Sequence, residues 1–311
     1  MKLWGSVWDG ASRAPLRLGL VVIVGLSQAT EAFQVNWQAQ DPERYPPTGD
    51  LSRWLADVVG APWALLALVC AGLIGVVRDR RPIVGGLWAL AWAAVLSEWQ
   101  TQIFGSPSRN AFFPGAMLFG WTLGQIWAAS SRTSASQACR ERLSEAGALG
   151  CLAAAYVGSA LSKLMATGSS WADGAQVRAL VLQQQPLADW GWLASVRHAL
   201  IEEPELAVVV SVATLVIEGG AFLLLFGRRL RVLWGVLLLG LHTAIALINT
   251  MPYVGASLLV LLFCMPWRHV PAPADDEPTG TLLPPHVVVL LLCIVVAAWA
   301  LAPLGWSASL P

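Results

Sequence analysis

The stretch YVGSALSKLMATGSSWADG, from Tyr156 to Gly174, places a lysine near the end of a long apolar segment. The chain has 17 arginines but only two lysines, Lys2 and Lys163. Ser159 lies four residues and Tyr156 seven residues before Lys163, so a helix would present all three on one face. The small residues among them would let neighbouring helices approach closely. The stretch therefore predicts an ionisable face on a helix with apolar surroundings.

The composition around this stretch is that of a polytopic membrane protein. Of the 311 residues, 56% are hydrophobic and 12% are charged, and the mean hydropathy is +0.61. Tryptophan outnumbers tyrosine by 17 to 3, as expected for an indole-rich interfacial belt in a lipid bilayer. The net charge of zero gives no reason to expect a nucleic-acid partner. The five cysteines fall in segments where neither structural disulfides nor thiol exchange is expected.

Apolar segments predict an all-α bundle of about nine transmembrane helices. The first is an uncleaved span, because Glu31 stands where a signal peptide would need small residues. The segment from about 167 to 205 is more polar and contains prolines and tryptophans, so it predicts short amphipathic helices in an outer loop. The predicted spans are at about 18–33, 54–77, 82–104, 111–130, 146–166, 206–226, 232–249, 254–266 and 285–302.

The distribution of basic residues predicts the orientation of this bundle. With the N-terminus inside, 13 of the 19 basic residues fall in inner segments, as the positive-inside rule requires. The sequence thus predicts one transmembrane domain over 1–311, N-terminus inside and C-terminus outside. Eight or ten spans remain open alternatives. The expected location is a bacterial cytoplasmic membrane.

Polar side chains from different predicted spans lie at similar depth toward the outer leaflet. An ionisable group at the bilayer centre costs roughly 2.5–3.5 kcal/mol on insertion scales, so such groups usually face each other or a wet cavity. Glu218 and His242 are predicted to lie deeper than this outer set. The outer set is Glu31, Glu98, Gln102, Asn110, Lys163 and Asn249.

Each of these residues also has a structural interpretation. Lys163 could extend to the outer interface, and Glu31 and Glu98 could reach headgroup water. Glu218 and His242 could pair with each other. The remaining candidates have common structural roles: helix caps or interhelical contacts for Asn110 and Asn249, and an interfacial anchor for Trp171. The four histidines show no metal-ligand spacing.

The chemical interpretation centres on Lys163. Burial of an amine disfavours its charged form, and a neutral amine is a competent base. In an apolar cavity open to the outer leaflet the expected substrates are lipophilic, and a quinol is one whose hydroxyl proton such a base could remove.

Three segments in order carry a family resemblance: YVGSALSKLMATGSSWADG, IEGGAFLLLFGRRLR and LHTAIALINTMPYVGASLLVLLF. They resemble the HTTM superfamily, which includes the membrane domain of vitamin K-dependent gamma-glutamyl carboxylase and a bacterial membrane component that matures a sporulation-delaying peptide toxin. The resemblance covers spans five to eight well and spans one to four loosely.

The resemblance implies roles for individual residues. Lys163 matches the lysine that the carboxylase uses as a base toward vitamin K hydroquinone, and His242 matches the histidine that opens its next matching helix. Trp171 and Gly174 match a W-x-x-G continuation. In SRNAFFPGAML, Asn110 occupies the place of a functional histidine, which puts in doubt the step that the histidine supports. The carboxylase also has a large lumenal domain beyond its membrane part, so the resemblance implies the fold and a lipophilic-reductant site more than protein carboxylation.

Two main functions follow from these observations. The first is an enzyme, a quinol-dependent lyase or oxidoreductase, whose cofactor would be a vitamin K-like quinol. The second is a non-catalytic accessory protein for maturing or exporting a secreted peptide, and a weaker third is a structural partner of a redox complex. A closely packed Lys163 with a carboxylate partner would favour the accessory interpretations. The predicted catalytic residues are Lys163, Asn110 and His242, and the predicted substrate-binding residues are Glu98, Trp171, Tyr156, Asn249 and Glu218.

Overall fold

A computed structural model describes residues 14–39, 54, 62–78, 81–104, 109–130, 137–184, 191–249 and 253–265. Over these residues the chain is helical, as the apolar segments predict. Two short 3-10 segments, Gly168–Trp171 and Gly220–Leu225, follow the helices α5 and α8. The helices are α1 Ala14–Ala39, α2 Pro62–Val77, α3 Pro82–Phe104, α4 Arg109–Ser130, α5 Gln137–Thr167, α6 Ala175–Gln184, α7 Gly191–Glu202, α8 Pro204–Gly219, α9 Gly227–Asn249 and α10 Val254–Cys264.

Five described helical segments are long and apolar enough to cross a membrane, which indicates an integral membrane protein. The helix predicted as span four, α4, is not among these five, and α2 and α10 are shorter apolar helices. The predicted span at 285–302 lies outside the described residues. The five segments are Pro15–Gln38, Pro82–Ile103, Cys139–Trp171, Pro204–Leu225 and Gly227–Ile248.

The described residues form two compact units. The first contains those up to Cys151 together with those from Val254 onward, and the second is Leu152–Tyr253. Helix α5 continues from one unit into the other. The single-domain organisation stays a prediction. The short helices predicted between 167 and 205 are present as Gly168–Trp171, α6 and α7.

In the first unit, helices α1 and α3 run parallel and contact each other through side chains. The Ser97 hydroxyl donates to Glu31, and Gln100 Nε2 donates to Gln34 Oε1 at 2.8 Å. Both pairs are separated by 66 residues, so the two helices advance together by one turn between them. An apolar cluster accompanies these pairs and consists of Ala32, Val35, Leu65, Leu96 and Trp99.

The structural interpretation of Glu31 is wrong. Its carboxylate was expected to reach headgroup water, but the residue is buried in the first unit and accepts from Ser97. Its position on α1 explains the difference: Glu31 shares a stripe with the buried residues Gln28 and Val35. Hydropathy alone cannot show which stripe of a spanning helix faces protein.

Glycine residues let helices α2 and α3 pack closely against each other. A Cβ atom added to Gly72 would lie 2.6 Å from the backbone nitrogen of Ala89 and 2.7 Å from the carbonyl oxygen of Gly85. Side chains at this crossing would therefore separate the helices. Small residues serve this purpose in membrane proteins because backbone proximity gives dense van der Waals contact.

In the second unit, Arg197 of α7 joins that short helix to the end of α9. Its Nε donates to the Ile248 carbonyl at 2.7 Å and its Nη2 to the Leu247 carbonyl at 2.8 Å. The last carbonyls of a helix have no partners within the helix, and a cation there also complements the helix dipole. Arg197 is buried, so it contributes to the interior of this unit.

Candidate functional site

Lys163 lies at the centre of a polar cluster in the second unit. Its ammonium group forms an ion pair with the Glu218 carboxylate and donates to Ser159 Oγ at 3.1 Å. The nitrogen also lies 5.3 Å from the centroid of a Trp171 ring, within the range of a cation–π contact. The predicted face that joins Lys163 and Ser159 is therefore confirmed.

Local backbone features place Trp171 above the amine. Helix α5 runs to Thr167, whose hydroxyl donates to the Lys163 carbonyl at 2.8 Å. Gly168 then adopts φ +60, a left-handed conformation that suits glycine and commonly ends helices. The 3-10 segment that follows folds the chain back, so Trp171 comes within reach of a side chain two turns earlier.

The cluster combines a buried carboxylate with a partly open amine. The side chain of Glu218 is 7% exposed and that of Lys163 is 19% exposed. Ser211 and Thr214 lie on the same face of α8 as Glu218 and are buried with it. The pair therefore has one buried member, Glu218, and one partly exposed member, Lys163.

Two polar atoms near this cluster have no hydrogen-bond partner within the described part of the chain. These are the indole nitrogen of Trp171 and the hydroxyl oxygen of Ser211. Buried polar atoms of this kind are uncommon, because each loses its hydrogen bonds to water. A bound molecule could accept a hydrogen bond from the Trp171 indole N–H, and it could donate to or accept from the Ser211 hydroxyl group.

A second polar group lies on the same helix, two turns before Lys163. The Tyr156 hydroxyl and His242 Nε2 are 2.5 Å apart, and both side chains are buried. The His242 ring lies between those of Tyr156 and Tyr253, with centroid distances of 5.7 and 5.5 Å. Tyr156, Ser159 and Lys163 thus form one face of α5 with polar partners along its length.

Six of the eight predicted site residues belong to the second unit: Tyr156, Lys163, Trp171, Glu218, His242 and Asn249. Glu98 belongs to the first unit, is exposed and accepts from Gln102 Nε2 at 2.9 Å. Asn110 and Asn249 lie in α4 and α9, but their side chains are outside the part that the structure describes.

One alternative for Glu218 needs correction. The sequence left open that Glu218 and His242 pair with each other. Instead Glu218 contacts Lys163, while His242 contacts Tyr156. Each contact joins residues far apart in the sequence, so spacing along one helix does not predict it.

The sequence interpretation missed two residues. These are Tyr253 and Arg197, neither of which is among the predicted site residues. Their contacts to His242 and to the end of α9 join residues about 10 and 50 positions apart, and no local spacing predicts either. Among the described residues, no group of histidine, cysteine or carboxylate side chains could hold a metal ion.

The arrangement brings an ammonium group, a carboxylate and an aromatic ring together in the second unit. Trp171 supplies an aromatic wall beside this pair. No protein family, curated protein or solved structure matches the chain.

Proposed function

We propose that this chain is an HTTM-type integral membrane enzyme that performs acid–base chemistry on a quinol-like or other lipophilic substrate. In this proposal it has nine spans in a bacterial cytoplasmic membrane, with the N-terminus inside and the C-terminus outside. The resemblance of its three central segments to the vitamin K-dependent carboxylase membrane domain motivates the assignment. The observation that supports it best is the partly exposed Lys163 side chain beside the Trp171 ring, whose indole N–H has no hydrogen-bond partner among the described residues.

The proposed reaction step uses the pair as a unit. A proton moves from the Lys163 ammonium to the Glu218 carboxylate and leaves a neutral amine beside a carboxylic acid. The amine then takes the hydroxyl proton of the substrate, which becomes an anion next to the new ammonium. The pair ends with one additional proton and the substrate with one fewer. Close positioning of the two partners makes the first transfer short.

The partial exposure of Lys163 supports access for a lipophilic molecule. A substrate dissolved in the bilayer would reach the amine along the exposed part of the Lys163 side chain. Trp171 would then contact its apolar or aromatic body, and the Trp171 indole N–H would donate to an oxygen of the substrate. Tyr156, with His242 as its partner, would lie two turns away on the same face of α5.

Mass spectrometry of lipophilic molecules that copurify with the protein tests this proposal. The native protein and Lys163→Ala are compared, with Thr243→Val as a control, because its exposed hydroxyl donates only within α9, to the Leu239 carbonyl. We expect a quinone-like compound with native protein and Thr243→Val and at least a tenfold loss with Lys163→Ala. A quinone-free native protein, or an unchanged yield from Lys163→Ala, would contradict the enzyme proposal.

A second candidate is a non-catalytic accessory protein for maturing or exporting a secreted peptide. The observation that favours it is the carboxylate partner of Lys163, since Glu218 gives the ammonium a structural role. The double variant Lys163→Met/Glu218→Met separates the two candidates, because it removes both ionisable groups together. Peptide maturation that persists in cells with this folded variant would support the accessory function, and loss of maturation with the folded variant would contradict it.

A further inference from the structure

Helix α1 carries a polar stripe in the interior of the first unit. Its members are spaced as neighbours on one helix face over its second half, whereas the first half buries leucine, isoleucine and valine. Burying polar side chains within a membrane-spanning helix costs free energy, so such side chains usually pair with each other or form a functional site. The stripe consists of Gln28, Glu31, Gln34 and Gln38.

Helix α3 meets this stripe with further oxygen-bearing side chains. The Ser97 hydroxyl lies 3.1 Å from each Glu31 carboxylate oxygen, and the Gln100 amide nitrogen donates to Gln34. Ser97 and Gln100 are one turn apart, as are Glu31 and Gln34. The parallel helices therefore bring a carboxylate, a hydroxyl and carboxamides into one small region.

Two carboxamide oxygens in this region have no hydrogen-bond partner within the described residues. These are Oε1 of Gln28, whose residue is 2% exposed, and Oε1 of Gln100, whose residue is 5% exposed. Gln28 lies one turn before Glu31, and Gln100 lies one turn after Ser97, so the two carboxamides flank the Glu31–Ser97 contact from either side. Buried acceptors without donors are the groups that a cation can satisfy.

We propose that this cluster binds a monovalent metal cation, Na⁺ or K⁺, between α1 and α3. The ligands would be the Glu31 carboxylate, the Ser97 hydroxyl oxygen and the carboxamide oxygens of Gln28 and Gln100. Hard cations prefer such all-oxygen ligand sets. The proposed ligands include a single carboxylate, which suits a monovalent cation better than a divalent one.

Gln38 gives the site a polar approach. It lies seven residues beyond Glu31 on the same stripe, about 10 Å along the helix. Both its carboxamide atoms are buried without partners in the described part of the chain. A cation that sheds its water would meet these polar atoms between the end of α1 and Glu31.

Cation binding to the purified, full-length protein in lipid nanodiscs tests the proposal. Radioactive Na⁺ binding and thermal unfolding are measured in NaCl, KCl and choline chloride at equal ionic strength. We expect saturable binding of one cation per chain and an unfolding temperature higher by about 5 °C in the preferred salt than in choline chloride, because a ligand stabilises the folded state.

Two substitutions locate the site. Glu31→Gln should lower cation affinity at least tenfold, whereas Glu98→Gln should leave it unchanged, because Glu98 is an exposed carboxylate on the same helix as Ser97. Where Glu31→Gln does not fold, Gln28→Leu removes one ligand oxygen and should weaken binding severalfold.

Equal stability in all three salts would overturn the proposal, as would stability that follows pH but not the identity of the cation. Binding that Glu98→Gln abolishes as strongly as Glu31→Gln would also overturn it. The site belongs to the first unit and does not rest on the proposed function, so either can fail alone.

Discussion

At the scale of single residues, the pairing of Lys163 with Glu218 makes a stability prediction. Lys163→Ala leaves the 7%-exposed Glu218 carboxylate without its partner. Removing one member of a fully buried pair costs about 3–5 kcal/mol, and the 19% exposure of the Lys163 side chain should reduce this to about 1–3 kcal/mol. Unfolding by denaturant in detergent micelles measures the change in free energy.

A double-mutant cycle separates the pair from its surroundings. Lys163→Met/Glu218→Met should recover most of the lost stability, because it leaves no unpaired charge. Ser159→Ala provides the matched comparison, since Ser159 contacts the same nitrogen but carries no charge, and it should cost less than about 1 kcal/mol. Additive effects of the two methionine substitutions would show that the contact has no energetic coupling.

The Tyr156–His242 contact makes a second residue-scale prediction. Tyr156→Phe keeps the ring but removes the hydroxyl group that lies 2.5 Å from His242 Nε2. We expect a loss of about 1 kcal/mol, typical of one buried hydrogen bond. Nitrogen-15 NMR of the imidazole should show changed ring-nitrogen shifts. Unchanged shifts would mean that the contact does not define the state of His242.

The sequence predicts these residues better than it predicts their partners. Helical spacing alone places Tyr156, Ser159 and Lys163 on one face, and that part is confirmed by the Lys163–Ser159 contact. Lys163 and Glu218 lie 55 positions apart on two different helices. The periodicity within either helix therefore does not predict their contact.

At the scale of helices, the glycine contact between α2 and α3 is open to test. Gly72→Ala would place a methyl group 2.6 Å from the Ala89 backbone nitrogen, and backbone atoms cannot move aside as a flexible side chain can. Such overpacking should cost about 1–3 kcal/mol. Gly240→Ala in α9 meets nothing within 4 Å and should be neutral or slightly stabilising. Equal stabilities of the two variants would show that the helices are farther apart.

The hydrogen bonds from Arg197 to the end of α9 are expected to stabilise α7. Arg197→Lys keeps the charge but cannot place two donors on the Ile248 and Leu247 carbonyls. Because one charge-assisted hydrogen bond contributes about 1.5–3 kcal/mol, amide hydrogens of α7 should exchange at least tenfold faster. Hydrogen-exchange mass spectrometry of residues 191–202 measures this. The exchange of α2 amides, which lie in the other unit, should not change.

Helix boundaries show where sequence interpretation succeeds and where it does not. The predicted span 82–104 equals α3, because an arginine-rich turn and a proline mark its start and GSP follows its end. The predicted span 146–166 misses the first nine residues of α5. Those residues include the buried Glu141, Ser144 and Glu145, and hydropathy classes them as a loop although the helix continues through them.

At the scale of the whole molecule, parallel α1 and α3 bear on the topology. Two helices that cross a membrane in the same direction need a return path between them, and α2 is the apolar helix that separates them in sequence. The parallel packing is therefore what three consecutive spans would produce, whichever side of the membrane holds the N-terminus. We expect that odd-numbered spans all run outward, which is also the arrangement that leaves most arginines inside.

Reporter fusions measure this arrangement directly. Alkaline phosphatase is active only outside the cytoplasmic membrane, and green fluorescent protein in its usual form fluoresces only inside. With nine spans and the N-terminus inside, fusions after Arg132 should fluoresce without phosphatase activity, and fusions after Pro311 should show the reverse. If the fusion after Arg132 fluoresces as expected and the fusion after Pro311 also fluoresces, the number of spans is even. The predicted segment at 285–302 would then be the first to reconsider, because it lies beyond the last of the helices that the structure describes.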